Sequence, residues 1–207
     1  MKAGRQPGQQ AGLGIRKVDT GHADLGKSQV TAPGLYLRDE LNGIHHHTAI
    51  VGSEADTAAL AAQLATASAL GNAVLALHGN LGAGKTTLVR HLLRALGASG
   101  RIKSPTYAVV EPHELPRPGA WPPGPPLQVS HFDFYRFNDP REWEDAGLRE
   151  LFAAPGLKLV EWPEKAQGMM PTPDADITLE PMDDNTRRVT VQARTATGQA
   201  LLETLRP

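Results

Sequence analysis

The sequence predicts an α/β fold, a three-layer α/β/α sandwich built on a mixed parallel and antiparallel sheet. Predicted strands and helices alternate along most of the chain, which favours parallel strands covered by helices. Two predicted strands, at residues 107–111 and 127–133, follow each other without a helix between them, which indicates some antiparallel pairing. A glycine-rich segment joins an apolar run to a helical pattern within residues 73–96. These three observations define the predicted fold class.

The composition predicts one globular domain that carries extra segments. The chain has 207 residues, is 40% hydrophobic and has a net charge of −1, which suits one domain with its own core. A near-neutral balance gives no support for broad electrostatic binding to nucleic acid. The absence of cysteine excludes disulfides and thiolate chemistry. No membrane-length apolar stretch and no signal-peptide core are present, so we expect a cytoplasmic protein that does not bind membranes.

Two segments are predicted to be additions to a domain at residues 46–207. Residues 1–45 are rich in Gly, Gln and scattered charge, which is typical of a disordered extension or a wrongly chosen start. The run His45-His46-His47 is predicted to be solvated, because three adjacent histidines cannot all face one metal ion. The proline-rich residues 116–126, in an insertion at about 112–126, predict a stiff loop between two strands rather than a recognition strip.

The first half of the domain is predicted to contain two strands and two helices. Residues 48–51 form a short strand-like run. Ser53, with Asp56 three residues later, is a typical N-cap for an Ala/Leu-rich helix that reaches about Leu70. Residues 73–77 are continuously apolar, as in a buried strand. Residues 87–96 have helical apolar spacing and stop at Gly97.

The second half is predicted to be richer in strands. Strands at 107–111 and 127–133 flank the proline-rich loop, and a helical stretch follows at 142–152. Residues 157–162 read as a strand that ends before Pro163. The tail alternates apolar and polar residues at 177–179 and 189–193, which predicts two strands joined by the turn-rich residues 182–185.

A phosphate-binding loop is predicted at residues 79–87, Gly-Asn-Leu-Gly-Ala-Gly-Lys-Thr-Thr. Glycines allow backbone N–H groups to turn around an anion, and the helix N-terminus adds partial positive charge. Lys85 is expected to reach the β- and γ-phosphates, and Thr86 to offer its hydroxyl to Mg²⁺. The residues predicted to bind nucleotide here are Asn80, Leu81, Gly82, Ala83, Gly84, Lys85, Thr86 and Thr87. The strand before the loop and the helix after it favour a fold of the P-loop NTPase type over a plain turn.

A second stretch, residues 21–28, also fits the pattern G-x-x-x-x-G-K-[ST]. The residues before it are mostly polar rather than strand-like, and Pro33 and Gly34 exclude a helix after it. Without a strand and a helix, this loop cannot aim a row of N–H groups at a phosphate. We interpret the second pattern as a coincidence.

Three further positions are candidates for chemistry at a nucleotide site. Asp133 ends an apolar strand, where an acid could hold Mg²⁺ through bound water or merely cap the strand. Thr106 lies in the proline-stiffened loop Ser104-Pro105-Thr106, which could present a hydroxyl to the metal or γ-phosphate or be a plain turn. Glu161 ends another apolar strand and could orient water or be an edge charge. Trp162 beside it could stack on the base or close the cavity.

Five segments of the chain resemble the TsaE family, formerly called YjeE. They are the loop at 79–87, Ser-Pro-Thr-Tyr at 104–107, His-Phe-Asp-Phe-Tyr-Arg at 131–136, Glu-x-x-Gly at 144–147 and Glu-Trp-Pro-Glu at 161–164. The first alone identifies only a superfamily, whereas His-x-Asp-x-Tyr-Arg followed by Glu-Trp-Pro-Glu is highly specific. The resemblance runs from about residue 48 to the C-terminus, and the N-terminal extension and proline-rich insertion depart from it.

The resemblance implies an ATPase of bacterial tRNA threonylcarbamoyladenosine biosynthesis. The family binds ATP and Mg²⁺, hydrolyses ATP weakly alone, and associates with the TsaD–TsaB pair that modifies adenosine 37 of tRNA. Hydrolysis is thought to reset that complex between turnovers, so tRNA is met only indirectly. Carried onto this sequence, Lys85, Thr106 and Glu161 are catalytic, Thr86 and Asp133 serve Mg²⁺, and Trp162 lies near the nucleotide. Arg136 is the candidate for an internal arginine finger.

Three other kinds of protein share a phosphate loop. A small-molecule kinase would add an acceptor site and an arginine-rich lid, and the sequence has no clear lid. A GTPase is disfavoured, because no Asn/Thr-Lys-x-Asp guanine motif is present and x-x-Gly does not follow Asp133. A nucleotide-gated scaffold that does not need hydrolysis would have nearly the same sequence, so this alternative stays open.

Overall fold

The computed structural model describes residue 1, residues 36–41 and residues 44–205, with side chains from residue 45 onward. Residues 2–35 of the predicted extension therefore lie outside the described residues, as does the second glycine-rich pattern at 21–28. Within the described residues, no helix is both long enough and apolar enough to cross a membrane.

One mixed sheet of eight strands forms the middle of the described structure. Its strands are β1 (Tyr36–Leu41), β2 (Ile44–Val51), β3 (Val74–His78), β4 (Val110–Leu115), β5 (Leu127–Asp133), β6 (Leu157–Glu161), β7 (Ala175–Pro181) and β8 (Arg187–Ala193). They lie in the order β1-β2-β8-β7-β3-β6-β5-β4. The pairs β7–β3, β3–β6 and β6–β5 are parallel, and the outer pairs are antiparallel. This arrangement confirms the predicted mixed sheet.

Helices lie on both faces of the sheet. They are α1 (Glu54–Ala65), α2 (Lys85–Ala95), α3 (Glu142–Asp145), α4 (Leu148–Ala153) and α5 (Ala196–Leu202), with 3₁₀ turns at Ser68–Asn72 and Pro163–Ala166. Apolar residues of α1, α2 and α5 share one core with alternate residues of the strands. A smaller aromatic core holds α3 and α4 together with Phe132 and Val160 of β5 and β6. The three-layer α/β/α fold is therefore confirmed.

Two helix boundaries follow from local sequence as predicted. The Ser53 hydroxyl accepts a hydrogen bond from the Asp56 N–H at 3.1 Å, which satisfies one of the free N–H groups in the first turn of α1. Gly97, with a φ of 102°, adopts the left-handed conformation that ends α2, which glycine does without steric cost.

The sheet begins earlier than the predicted domain boundary at residue 46. β1 and the first residues of β2 fall inside the segment 1–45 that was predicted to be disordered. The prediction of a solvated histidine run is also wrong, because His47 is 1% exposed. In β2, His47 pairs with Val191 of β8. Strand alternation therefore turns His47 to the same face of the sheet as Val191, which is part of the core under α1, α2 and α5.

The strand predicted at 107–111 begins only at Val110. Val109 has a φ of 68°, and its N–H donates to the Pro105 carbonyl at 2.6 Å, so the chain before β4 forms a tight turn. β4 then continues through Pro112 to Leu115, beyond the predicted strand end. A proline is tolerated there because β4 lies at the edge of the sheet.

Two helical predictions also needed correction. The helix predicted at 142–152 is interrupted at Gly147, whose φ of 66° separates α3 from α4. The helix α5 was missed, although Thr195 caps it by accepting the Gly198 N–H at 3.3 Å. Its seven residues give too short a periodic pattern to stand out in the sequence.

The proline-rich loop is attached to the helical layer through Trp121. This side chain is 4% exposed, and its Nε1–H donates to the Ala65 carbonyl at the end of α1 at 3.1 Å. Arg117 donates through Nε to the Pro122 carbonyl at 2.6 Å, which closes the loop on itself. The predicted insertion at about 112–126 thus contributes its first residues to β4 and one side chain to the core.

We expect Trp121→Ala to lower the free energy of unfolding by about 3 kcal/mol, because it empties a core position and leaves the Ala65 carbonyl without its donor. Urea unfolding followed by circular dichroism measures this change. The exposed Pro125→Ala in the same loop is the matched control, with an expected cost of under about 1 kcal/mol. Equal costs for the two variants would contradict the packing of this loop.

Candidate nucleotide site

The glycine-rich loop lies between β3 and α2, at the carboxyl end of β3. Gly79 has a φ of 137°, and a Cβ there would lie 2.5 Å from the Leu179 carbonyl oxygen. Gly84 precedes Lys85 with a φ of 108°. Side chains are excluded at the first position by space and disfavoured at both by conformation. The loop therefore leads its N–H groups into the first turn of α2, as a phosphate site requires.

Lys85 is buried at the start of α2 and points back across the loop. Its Nζ donates to the carbonyls of Gly79 at 2.5 Å and Asn80 at 3.1 Å, and lies 3.7 Å from the centre of the Trp162 ring. Desolvation lowers the pKa of Lys85 below its ordinary value of 10.5. The nearby carboxylates oppose that change, and Glu161 has the largest opposing effect. An ammonium with so little hydration is well suited to a multiply charged phosphate.

Glu161, at the end of β6, faces the start of α2. The Thr86 hydroxyl lies 2.9 Å from its Oε1 and 2.8 Å from its Oε2. His131 of β5 contacts the same carboxylate, with Nε2 at 2.9 Å from Oε1. Glu161 is 2% exposed, so a buried acid is held between a hydroxyl and an imidazole.

Asp133 occupies the position of β5 that pairs with Glu161 of β6. Its Oδ2 accepts hydrogen bonds from the hydroxyls of Ser104 and Thr106, the latter at 2.6 Å. Its Oδ1 accepts the Tyr135 N–H at 3.0 Å. Asp133 therefore ties the Ser-Pro-Thr loop to the sheet, whereas Thr86 contacts Glu161.

β6 ends at Glu161, one residue before the predicted strand end, and Trp162 follows it. Its φ of 59° is left-handed, a conformation that is uncommon for a bulky side chain. The turn places the indole over Lys85 and 5.1 Å from the Tyr135 ring centre. A strained tryptophan at this place forms one wall of the site.

Most of the predicted site residues line one cavity of about 320 Å³. Its lining residues are Leu81, Gly82, Gly84, Lys85, Thr86, Thr87, Ser104, Thr106, Asp133, Tyr135, Glu161 and Trp162. Asn80 and Ala83 were also predicted to bind nucleotide but are absent from this lining. The Ala83 carbonyl accepts a hydrogen bond from the Nε of Arg187, the first residue of β8, at 3.0 Å. Arg136 is also outside the lining, with its guanidinium 4.0 Å from the Tyr107 ring centre.

Three residues that line the cavity or contact its lining and loop were not predicted from the sequence. His131 lies two residues before Asp133 in β5, so strand alternation could have placed both on one face. Tyr135 lies in the segment at 131–136 that resembles the TsaE family, but the sequence indicated no role for it. Arg187, which holds the loop, follows a turn far along the chain and has no sequence signal that points to the site.

The oxygen atoms around Thr86 are of the kind that Mg²⁺ prefers. A hydroxyl and two carboxylates, Glu161 and Asp133, meet at the cavity, and Mg²⁺ is bound in proteins by one or two carboxylates, a few waters and phosphate oxygens. Among the described residues, no group of three or more His, Cys, Asp or Glu side chains could hold a metal by itself. The residues therefore fit a metal that arrives with a phosphate ligand.

Comparison with known proteins gives a consistent result. A family model described as threonylcarbamoyl adenosine biosynthesis protein TsaE matches residues 51–189. The tRNA threonylcarbamoyladenosine biosynthesis protein TsaE of Haemophilus influenzae is 38% identical over 126 residues, covering 61% of this chain and 73% of that protein. The protein of the same name from Bacillus subtilis is 34% identical, with 64% and 77% covered.

Two further matches extend this result. The TsaE protein of Rickettsia bellii is 32% identical, covering 67% of this chain and 89% of that protein. The crystal structure of Bacillus subtilis YdiB superposes with a TM-score of 0.61 at 24% identity, covering 80% of this chain and 95% of that one, which supports the fold. Because the family model spans well over half of the residues, the chain belongs to the TsaE family.

Proposed function

We propose that this protein binds ATP with Mg²⁺, hydrolyses it, and thereby serves tRNA threonylcarbamoyladenosine formation by the TsaD–TsaB complex. The observation that carries the proposal is the meeting of Lys85, the Thr86–Glu161 pair and Asp133 in one cavity at the phosphate loop. The names of the relatives assign those proteins to the biosynthesis of tRNA threonylcarbamoyladenosine. The fold and the cavity support the proposed nucleotide chemistry, and the names of the relatives support the proposed pathway.

The residues of the cavity have separable roles in this proposal. The loop N–H groups and Lys85 would bind the phosphates. Thr86 and Glu161 would hold Mg²⁺, with Asp133 acting beside them through bound water. When bound, the metal would neutralise charge that develops on the phosphate oxygens.

The Ser-Pro-Thr loop would report the state of the nucleotide. Thr106 donates to Asp133 at 2.6 Å, so the loop is already linked to the metal side of the cavity. A γ-phosphate would offer the Thr106 hydroxyl a competing acceptor, and losing that phosphate would return it to Asp133. Such a nucleotide-dependent loop is a means of passing the ATP state to a bound partner.

Slow hydrolysis by the isolated protein is expected from the lining of the cavity. Among the described residues that line the cavity there is no arginine, whereas an arginine finger accelerates related phosphoryl transfers by about 10³–10⁵-fold. A partner could supply the missing cation or align the water. TsaD–TsaB is therefore proposed to alter the hydrolysis rate as well as to depend on it.

The experiment measures ATP hydrolysis with Mg²⁺ by the purified protein, alone and with TsaD–TsaB, using GTP as a control substrate. We expect slow turnover with ATP, little with GTP, and a rate change of about tenfold or more when the partners are added. In parallel, the partners should form several modified tRNAs per complex only when this protein and ATP are both present. An ATP hydrolysis rate that stays the same when the partners are added, or equal hydrolysis rates with GTP and ATP, would contradict the proposal.

A further inference from the structure

His131 is a buried imidazole that contacts Glu161, one of the residues lining the nucleotide cavity, and the proposal above assigns it no role. Its side chain is 0% exposed. Nε2 lies 2.9 Å from Glu161 Oε1. Nδ1 is buried and has no hydrogen-bond partner within the described part of the chain.

These contacts determine where the proton of His131 resides. A buried N–H without an acceptor is rarer and more costly than a buried acceptor without a donor. The proton therefore belongs on Nε2, which then donates to Glu161, while Nδ1 stays unprotonated. Glu161 Oε1 accepts this bond, and the Thr86 hydroxyl lies within reach of both carboxylate oxygens.

The contact with His131 restricts the conformation of the Glu161 side chain. Glu161 ends β6 and precedes the left-handed Trp162, so its backbone position is set by the sheet, but its side chain needs a second contact to adopt one rotamer. The imidazole supplies that contact on Oε1, whereas Oε2 contacts only the Thr86 hydroxyl among the hydrogen-bonding groups of the described residues, at 2.8 Å. Hydrogen-bonded partners of this kind orient ligating side chains, and their loss typically costs about 10–100-fold in metal affinity or activity.

We propose that His131 is a positioning residue, whose Nε2–H holds Oε1 of Glu161 so that Oε2 is presented to the Mg²⁺ of the bound nucleotide. This inference rests on the proposed nucleotide function and deepens it. It predicts a specific defect: the variant loses the part of nucleotide affinity that Mg²⁺ contributes, whereas phosphate binding by Lys85 and the loop is preserved.

Titration calorimetry of ADP and ATP, each with Mg²⁺ and with EDTA, tests this. His131→Leu should lose about 10–100-fold of the affinity gained from Mg²⁺, with metal-free affinity unchanged. His131→Gln, which can keep an N–H donor near Nε2, should retain most of the gain. The matched control is His91→Gln, because His91 also contacts a carboxylate, Glu54 at 3.0 Å, but outside the cavity. It should behave as the wild type does.

A double variant separates positioning from a general structural role. In a Glu161→Gln background, His131→Leu should cause no further loss of the Mg²⁺ effect, because the carboxylate it positions is gone. Equal losses with and without Mg²⁺, or equal behaviour of the Leu and Gln variants, would overturn the inference.

A metal-free measurement keeps the inference testable if ATP hydrolysis is never observed. Nitrogen-15 NMR of histidine side chains in the nucleotide-free protein should show His131 as the neutral Nε2–H tautomer, shifted by Glu161→Gln. The Nδ1–H tautomer would overturn the proposed contact whether or not the wild type hydrolyses ATP. If the Nε2–H tautomer and the Mg²⁺ effect are both observed but ATP is not hydrolysed, only the proposed activity is refuted.

Discussion

Lys85→Ala should weaken ATP binding by about 100-fold and reduce hydrolysis below detection, since a charge-assisted contact to phosphate is lost in a dehydrated site. In the structure, the Lys85 ammonium donates hydrogen bonds to two loop carbonyls and lies over the Trp162 ring. Calorimetry measures the dissociation constant, and phosphate release measures the rate.

The chain supplies its own control for this prediction. Lys27 occupies the corresponding place in the second glycine-rich pattern at residues 21–28, which we interpret as a coincidence. Lys27→Ala should bind and hydrolyse ATP as the wild type does. ATP affinity within threefold of the wild type in Lys85→Ala, or a large loss in Lys27→Ala, would show that the wrong loop had been assigned.

Glu161→Gln should lower the rate of ATP hydrolysis by about 10²–10³-fold, because it removes the buried charge that faces Thr86 and the proposed metal. Glutamine keeps the size of the side chain and a hydrogen-bonding oxygen, so folding should be little affected. The loss should appear in kcat and in the affinity gained from Mg²⁺, with metal-free nucleotide affinity within threefold of the wild type. Single-turnover kinetics and calorimetry measure the two quantities separately.

Glu164 provides the matched carboxylate control for Glu161. It lies three residues further on, in the 3₁₀ turn after β6, and its side chain is 46% exposed, so Glu164→Gln should change the rate by less than about threefold. The Glu161 variant also separates the proposed function from a nucleotide-gated scaffold. A scaffold should still support many rounds of tRNA modification with Glu161→Gln, whereas a complex that needs hydrolysis should stop after roughly one.

Local patterns predicted those parts of the structure that depend on neighbouring residues. The N-cap at Ser53, the loop glycines and the end of α2 at Gly97 each follow from a few adjacent residues. Short-range patterns failed where tertiary contacts decide the outcome. His47 is buried only because β2 pairs with β8, and Trp121 is a core residue only because it reaches Ala65.

The glycine-rich loop with its strand and helix, the mixed α/β fold and the acids at two strand ends could all be predicted from the sequence. These features are encoded by residues close together in the chain, where conformational preference and spacing suffice. Only the tertiary structure decided that Thr86 contacts Glu161 while Asp133 holds Ser104 and Thr106. Thr86 and Glu161 are 75 residues apart, and their contact depends on the order and register of β3, β6 and β5. A one-dimensional pattern cannot contain that register, because it is set by the packing of the whole sheet.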